Sequence, residues 1–275
     1  AGAGSFDVVR DLAGPFPVEV VSEILGVPSA DRQQLRHWTD ALLEREVGNP
    51  FPPASAMDAA VAFFSYLHDL VVERRARPGS GMVDDLVAAE VETDDGGRER
   101  LDDLEVAYFV ALLAAAGAET VTKLVGNGVV TFHEHPDQLA ALQADPTLVG
   151  GAVEEVLRWR APSQYQGRFS LADREFHGVT IPAERPVLIV TGAANRDPRV
   201  YDDPDRFDIR RDAPMPISFG HGIHFCIGAH LARLEGQIAL GELYRRWPDL
   251  DVDVDGIEYV HMTNVAGPAS VPVHV

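Results

Sequence analysis

The sequence predicts a mainly α protein with small β-sheets. Apolar residues recur at helical spacing over most of the chain, and the run Val106 to Ala118 is apolar for thirteen residues. Alternating β-rich runs, broken by Gly178 and Pro182, are confined to the stretch after Gly167 and read as a short sheet.

The helices follow in order from their stops. Phe16 to Leu25 ends at Gly26-Val27-Pro28, and Asp31 to Glu46 ends near Gly48-Asn49-Pro50. Pro52-Pro53 precedes a helix over Ala56 to Arg75, closed by Arg77-Pro78-Gly79; Asp84 to Val91 is shorter, and Thr93 to Arg100 reads as a polar turn region. A long central helix spans Asp102 to His133, with His135-Pro136 opening the next element; its apolar run is too short, and too soon interrupted by Glu119, to cross a membrane and reads as buried. Ala152 to Arg158 is amphipathic. A last helix is expected after Cys226, where Ile227, Ala229, Leu231, Ala232, Leu234, Ile238 and Leu240 keep helical spacing.

With 275 residues and 46% hydrophobic content the chain can bury a sizeable core, and residues 1–275 read as one domain. The 43 acidic and 23 basic residues give a formal charge of -20, which argues against nucleic acid or an anionic membrane as partner. Much of the acid lies between Asp84 and Glu105, as a solvated loop and helix start. No secretory signal opens the sequence and one cysteine cannot form an internal disulfide, so the expected compartment is the cytoplasm.

That cysteine is the most informative residue. Ser218-Phe219-Gly220-His221-Gly222-Ile223-His224-Phe225-Cys226-Ile227-Gly228 places it in a glycine-rich loop running into a helix, where unpaired N–H groups and the macrodipole favour negative charge. Gly222 and Gly228 let the backbone bend and approach something large and flat. Composition alone equally allows, and favours, an inert buried cysteine. A cysteine hydrolase fails on geometry, because His221 and His224 are too close in a tight loop to align as base, and a zinc site fails on ligand count.

Read as a pattern, Phe219-x-x-Gly222-x-His224-x-Cys226-x-Gly228 resembles the haem-binding loop of the cytochrome P-450 monooxygenases. The resemblance implies haem b, iron protoporphyrin IX, with Cys226 as axial thiolate ligand of the iron, Phe219 beside the sulfur and His224 facing a propionate. Thiolate ligation favours O–O cleavage. Further segments match in family order. Ala116-Gly117-Ala118-Glu119-Thr120 is similar to the oxygen-binding segment, where Thr120 would hold dioxygen and water by hydrogen bonds and Glu119 would relay protons; Thr120 bonding back to the preceding turn is the structural alternative. Glu155 and Arg158 match the Glu-x-x-Arg pair, which the resemblance joins to Arg206 in a scaffold triad. Arg168 matches the strand arginine that pairs with a propionate, and Ala193 to Pro198 and Asp202 to Pro204 match the segment before the haem loop.

The resemblance implies a cytochrome P-450 fold lacking about the N-terminal third, and a soluble bacterial-type monooxygenase of secondary metabolism. It would insert one oxygen atom from dioxygen into a small organic substrate, with electrons from a ferredoxin or similar redox partner. The docking face expected for that partner includes His221, His230, Arg233 and Arg160. Residues expected to line the substrate pocket are Phe109, Leu113 and Ala116, then Ser163, Gln164, Tyr165 and Gln166, and Thr263, Asn264, Val265 and Ala266. The other reading is a non-catalytic haem-fold protein that recruits or activates a partner enzyme; retention of both Cys226 and the Glu119-Thr120 pair speaks against it.

Overall fold

The computed structural model describes residues 4–49, 51–93, 95–261 and 264–275. The chain forms two compact units: residues 1–126 with 252–263 and 268–275, and residues 127–251 with 264–267.

The first unit is built on helices α1 (Pro15–Leu25), α2 (Arg32–Leu43), α3 (Ala54–Ala76), α4 (Met82–Ala88) and the first part of α5 (Asp103–Glu134). Proline at its first position starts α1, and Gly26 ends it with φ +83°, its N–H donating to the Ser22 and Glu23 carbonyls. Leu25, Leu35, Phe63, Leu67, Val71, Val83, Val106 and Val110 share one core. By length and composition α3 and α5 are apolar enough to cross a membrane, but here Phe63, Leu67, Val106 and Val110 use that apolarity in the core. Strands β1 (Ser5–Asp7), β8 (Asp251–Val252) and β11 (Pro272–His274) form a sheet in the order β1-β11-β8, and β9 (Glu258–Tyr259) pairs with β10 (Pro268–Ser270).

Two expectations change in this unit. Thr93 to Arg100 is no mere turn: β2 (Glu90–Glu92) and β3 (Arg98–Arg100) form a hairpin in which Glu90 faces Arg100 and Glu92 faces Arg98. Opposite charges across the ladder support a ribbon with no buried face. Nor is Val106 to Ala118 buried all round. Val106, Val110, Ala114 and Ala118 face inward, whereas Tyr108 and Leu112 are 65% and 62% exposed. Thirteen apolar residues encircle a helix, and the core covers only the stripe repeating every fourth residue.

The second unit contains the end of α5, α6 (Pro136–Ala144), α7 (Val149–Trp159), α8 (Thr191–Ala194) and α9 (Ala229–Arg246). The expected short sheet resolves into two antiparallel pairs, β4 (Gln166–Ser170) with β7 (Arg185–Ile189), and β5 (Arg174–Phe176) with β6 (Val179–Ile181). Phe132 sits at the aromatic centre, its ring meeting the edges of Phe207 and Tyr244 at 5.6 Å each.

The last helix begins later than its spacing suggests. Ile227 lies outside α9, and Ile227, Leu234 and Ile238 are exposed, while Glu235, Gly236, Ala239 and Leu240 turn inward. Glu235 thus occupies an interior position, and burial pushes its carboxyl up to about 7.

Two neighbouring glycines of α7 give opposite expectations. A Cβ on Gly151 would lie 2.5 Å from the Ile209 carbonyl oxygen, whereas one on Gly150 would meet only Gln237 Nε2 at 3.9 Å. Gly151→Ala is therefore expected to lose about 1–3 kcal/mol through overpacking, and Gly150→Ala to gain about 0.5–1 kcal/mol through helix propensity. Paired chemical denaturation curves of the two variants check the difference in sign.

Candidate functional site

The cysteine loop is held from both ends. At its start Asn195, fully buried, accepts from the Ile217 N–H at 3.0 Å and donates to Ser218 Oγ at 2.7 Å; that hydroxyl donates to the Leu157 carbonyl at 2.6 Å. At its end the Cys226 N–H donates to the Phe219 carbonyl at 2.9 Å, closing the loop on itself. Gly220 and Gly222 make the turn, with φ +75° and +71°, values that a side chain strains. Gly228 differs from expectation, since its φ of -86° is ordinary. A Cβ there would lie 4.0 Å from the Cys226 sulfur, an ordinary van der Waals contact.

Cys226 precedes the first residue of α9 by three positions and its carbonyl accepts from the Ala229 N–H. The thiol is free and partly exposed. Around it Ile223, Phe225 and Ile227 stand 98%, 48% and 79% exposed, and nothing lies within 4 Å of a Cβ built on Gly222. One soft sulfur ringed by exposed apolar side chains suits a single axial bond to a flat, largely apolar macrocycle. Among the described residues no group of three or more His, Cys, Asp or Glu side chains is placed to hold an ion on its own. His224 is exposed beside the cysteine, free to meet an anionic edge.

Phe219 carries a clamp that the sequence did not disclose. The Arg233 guanidinium lies over its ring, 4.5 Å from the centroid, and also holds Glu154 of α7 through two nitrogens. Arg233 thereby fixes loop to helix, and Arg160 is likewise paired, with Glu134 at 3.1 Å.

The expected triad is corrected. Glu155 and Arg158 do form a buried bidentate pair, at 2.7 Å and 2.8 Å. The third member is Arg211, whose Nε lies 3.2 Å from both carboxylate oxygens of Glu155. Arg206 contributes only its backbone carbonyl, which accepts from both arginines, while its 64% exposed side chain faces Asp208 at 3.5 Å. The Asp208 N–H adds a further donor to Glu155 at 2.9 Å. Arg158 also donates to the carbonyls of Asn195 and Pro204, so the cluster joins α7 to the segment that carries Asn195.

In the first unit, the acid and alcohol of α5 face different ways. Thr120 Oγ1 donates to the Ala116 carbonyl at 2.8 Å, the back-bonded alternative. Glu119 is buried and its Oε1 lies 2.7 Å from Lys123 Nζ, which donates in turn to the Pro268 carbonyl at 3.1 Å. Burial pushes the Glu119 carboxyl up, and the Lys123 charge opposes that shift. Lys123 escaped the motif reading, yet composition marks it: it is the single lysine among the 23 basic residues. Gly117 lies against α1, where a Cβ would meet Val21 Cγ2 at 3.0 Å.

The remaining residues divide by exposure. Arg168 is exposed on β4, its Nη1 donating to the Gly167 carbonyl, and among the described residues it makes no ion pair. Phe109 and Ala116 lie on the open face of α5, whereas Leu113 packs against the core. Ser163 bridges to Val265, and the Gln164 N–H donates to the Asn264 carbonyl, bringing Ser163, Gln164, Asn264 and Val265 together beside Tyr165. Thr263 lies outside the described residues.

Known proteins share this arrangement. A family model described as Cytochrome P450 matches residues 50–248. The chain is 43% identical to cytochrome P450 monooxygenase PikC of Streptomyces venezuelae over 273 residues, covering 98% of this chain and 64% of that protein. It is 42% identical to vitamin D(3) 25-hydroxylase of Pseudonocardia autotrophica, covering 98% of this chain and 66% of that one. The open structure of cytochrome P450 EryK from S. erythraea superposes with a TM-score of 0.91 at 40% identity, covering all of this chain and 70% of its own. The chain thus spans about two thirds of the length of the curated relatives it matches.

The two arginines near Glu155 separate the corrected triad from the expected one. Arg211→Ala leaves a buried carboxylate short of a charged partner and is expected to destabilise by about 3–5 kcal/mol. Arg206→Ala, which keeps the backbone carbonyl, is expected within about 0.5 kcal/mol of the parent. Urea denaturation midpoints of both variants decide between them.

Proposed function

The chain belongs to the cytochrome P450 family, and on that premise we propose that it acts as a haem-thiolate monooxygenase. The observation that carries the reading is the Cys226 sulfur, free and partly exposed on a braced loop with an apolar rim. Cys226 would hold the haem iron through its thiolate, His224 and Arg168 would meet the propionates, and Phe219 would pack beside the sulfur under Arg233. Bound haem supplies the oxygen-activating redox chemistry, which side chains alone lack. Ile223, Phe225 and Ile227 would cover the macrocycle's apolar face and keep water from the sulfur.

On α5 the proposed work is proton handling. The Thr120 hydroxyl gives its hydrogen to Ala116, which leaves its lone pairs to accept from a water, and Glu119 is the nearby acid that can take up or release a proton. Residues 1–275 are read as part of one family domain because relatives align over 98% of them. Relatives that include a vitamin D(3) 25-hydroxylase and an erythromycin C-12 hydroxylase support an organic substrate, and the latter supports a place in secondary metabolism. The residues proposed to meet substrate are Phe109, Leu113 and Ala116 in the first unit and the Ser163 to Gln166 segment in the second. Dioxygen is the second substrate, and a ferredoxin-type protein is the proposed electron donor. An acidic balance of 43 to 23 supports a protein with neither nucleic acid nor anionic membrane as partner, and a single cysteine is compatible with the cytoplasmic compartment proposed for it.

Absorption of the reduced carbon monoxide complex tests the ligand. A strongly red-shifted Soret band is expected in the parent and its loss in Cys226→Ser with unchanged circular dichroism; a parent that takes up haem without that band would overturn the reading. Thr120→Ala tests the alcohol. It is expected to divert oxygen consumption to peroxide at unchanged haem content, by about tenfold or more if the hydroxyl takes part in proton transfer.

A further inference from the structure

Arginine serves every other cationic position of this chain, including the partners of buried Glu155, yet one position is lysine. Lys123 lies one turn beyond Glu119 on α5, its side chain 4% exposed against 9% for the acid. Its ammonium makes two contacts in the first unit, to Glu119 Oε1 and to the Pro268 carbonyl. The space there is narrow, since a Cβ on Gly126 would lie 2.7 Å from Pro268 Cγ. A compact ammonium fits between α5 and β10 where a planar guanidinium would press on the proline.

The pair faces more charge on α2. Arg36 and Asp40 stand 3.6 Å apart there, and both act electrostatically on Glu119, Asp40 disfavouring its ionised form and Arg36 favouring it. His37 and Lys123 act on Asp40 in the same way that Arg36 does, against the burial that pushes its carboxyl up. Without Lys123, Glu119 would be a buried carboxylate beside a second acid, with Arg36 alone to offset it.

We propose that Lys123 is the positioning residue for Glu119, holding its carboxyl group turned towards α2, away from the Thr120 hydroxyl. The carboxylate therefore rests on the interior side of α5, among Arg36, Asp40 and Lys123, and the proton it handles is exchanged from that position. The catalytic consequence rests on the monooxygenase reading; the positioning does not.

The test uses the full chain as parent, Lys123→Met, Glu119→Gln and the double variant. Infrared titration follows the carbonyl stretch of a protonated buried carboxyl, assigned to Glu119 by its absence in Glu119→Gln. Lys123→Met is expected to move that titration to higher pH by about 1–3 pH units. The sign for stability follows: the carboxyl is already raised from 4.5 in the folded chain, so its contribution is greatest at acid pH and is lost as pH rises through the folded value. Lys123→Met should steepen that loss towards neutral pH, and adding Glu119→Gln should abolish it. An unmoved titration overturns the proposal. If Lys123→Met fails to fold, recovery in the double variant supports the coupling, whereas a double variant equally unfolded makes Lys123 only an anchor for Pro268 and overturns it. In the haem-loaded protein, peroxide released per oxygen consumed should change its pH profile in Lys123→Met. A moved titration with an unmoved profile leaves the positioning standing and removes Glu119 from the proposed reaction.

Discussion

A carboxylate taken out of water must be given donors on every side, and Glu155 imposes that requirement on the second unit. Its oxygens receive Arg158, Arg211 and the Asp208 N–H. Because Arg158 also reaches the carbonyls of Asn195, Pro204 and Arg206, satisfying one acid fixes where two separate backbone segments lie. Asn195 then passes that placement to Ile217 and Ser218, where the cysteine loop begins. A replacement by apolar residues could equal the stability. It could not aim the backbone with the same directional bonds.

The loop uses this support to do something otherwise unfavourable, which is to hold several large apolar side chains and a thiol open to water. Ile223 and Ile227 together with the free Cys226 make a surface that only a ligand can cover favourably. The rigidity therefore has a purpose at the sulfur. Two positive-φ glycines, one closing hydrogen bond and the Arg233 clamp on Phe219 hold the sulfur in place, the order that the metal bond proposed for Cys226 would need beforehand.

Much of this was legible in the sequence because it depends on local chemistry. The stop at Gly26, the long α5, the strand stretch and the cysteine loop all follow from neighbours in the chain, whereas α2 ends at Leu43, short of the expected Glu46. What was not legible depends on distance in space. Arg206 and Arg211 stand five residues apart on one irregular segment, and only folding decides which side chain turns to Glu155. Spacing likewise could not say that Ile227, Leu234 and Ile238 stay in water while Glu235 goes inside, since that depends on what packs against α9. Nor could adjacency of Glu119 and Thr120 show that a helix points consecutive side chains about 100° apart, the acid inward to Lys123 and the alcohol to its own turn.

The burial of Lys123 also settles how the folded chain meets amine chemistry. With the one lysine of residues 1–275 only 3% exposed, this folded stretch offers acylating reagents, acetyltransferases and ubiquitin ligases no lysine side chain on its surface. Covalent capture of that amine would accordingly record each opening of the contact between α5 and β10, making Lys123 a built-in clock for the motion of the helix that carries Glu119 and Thr120.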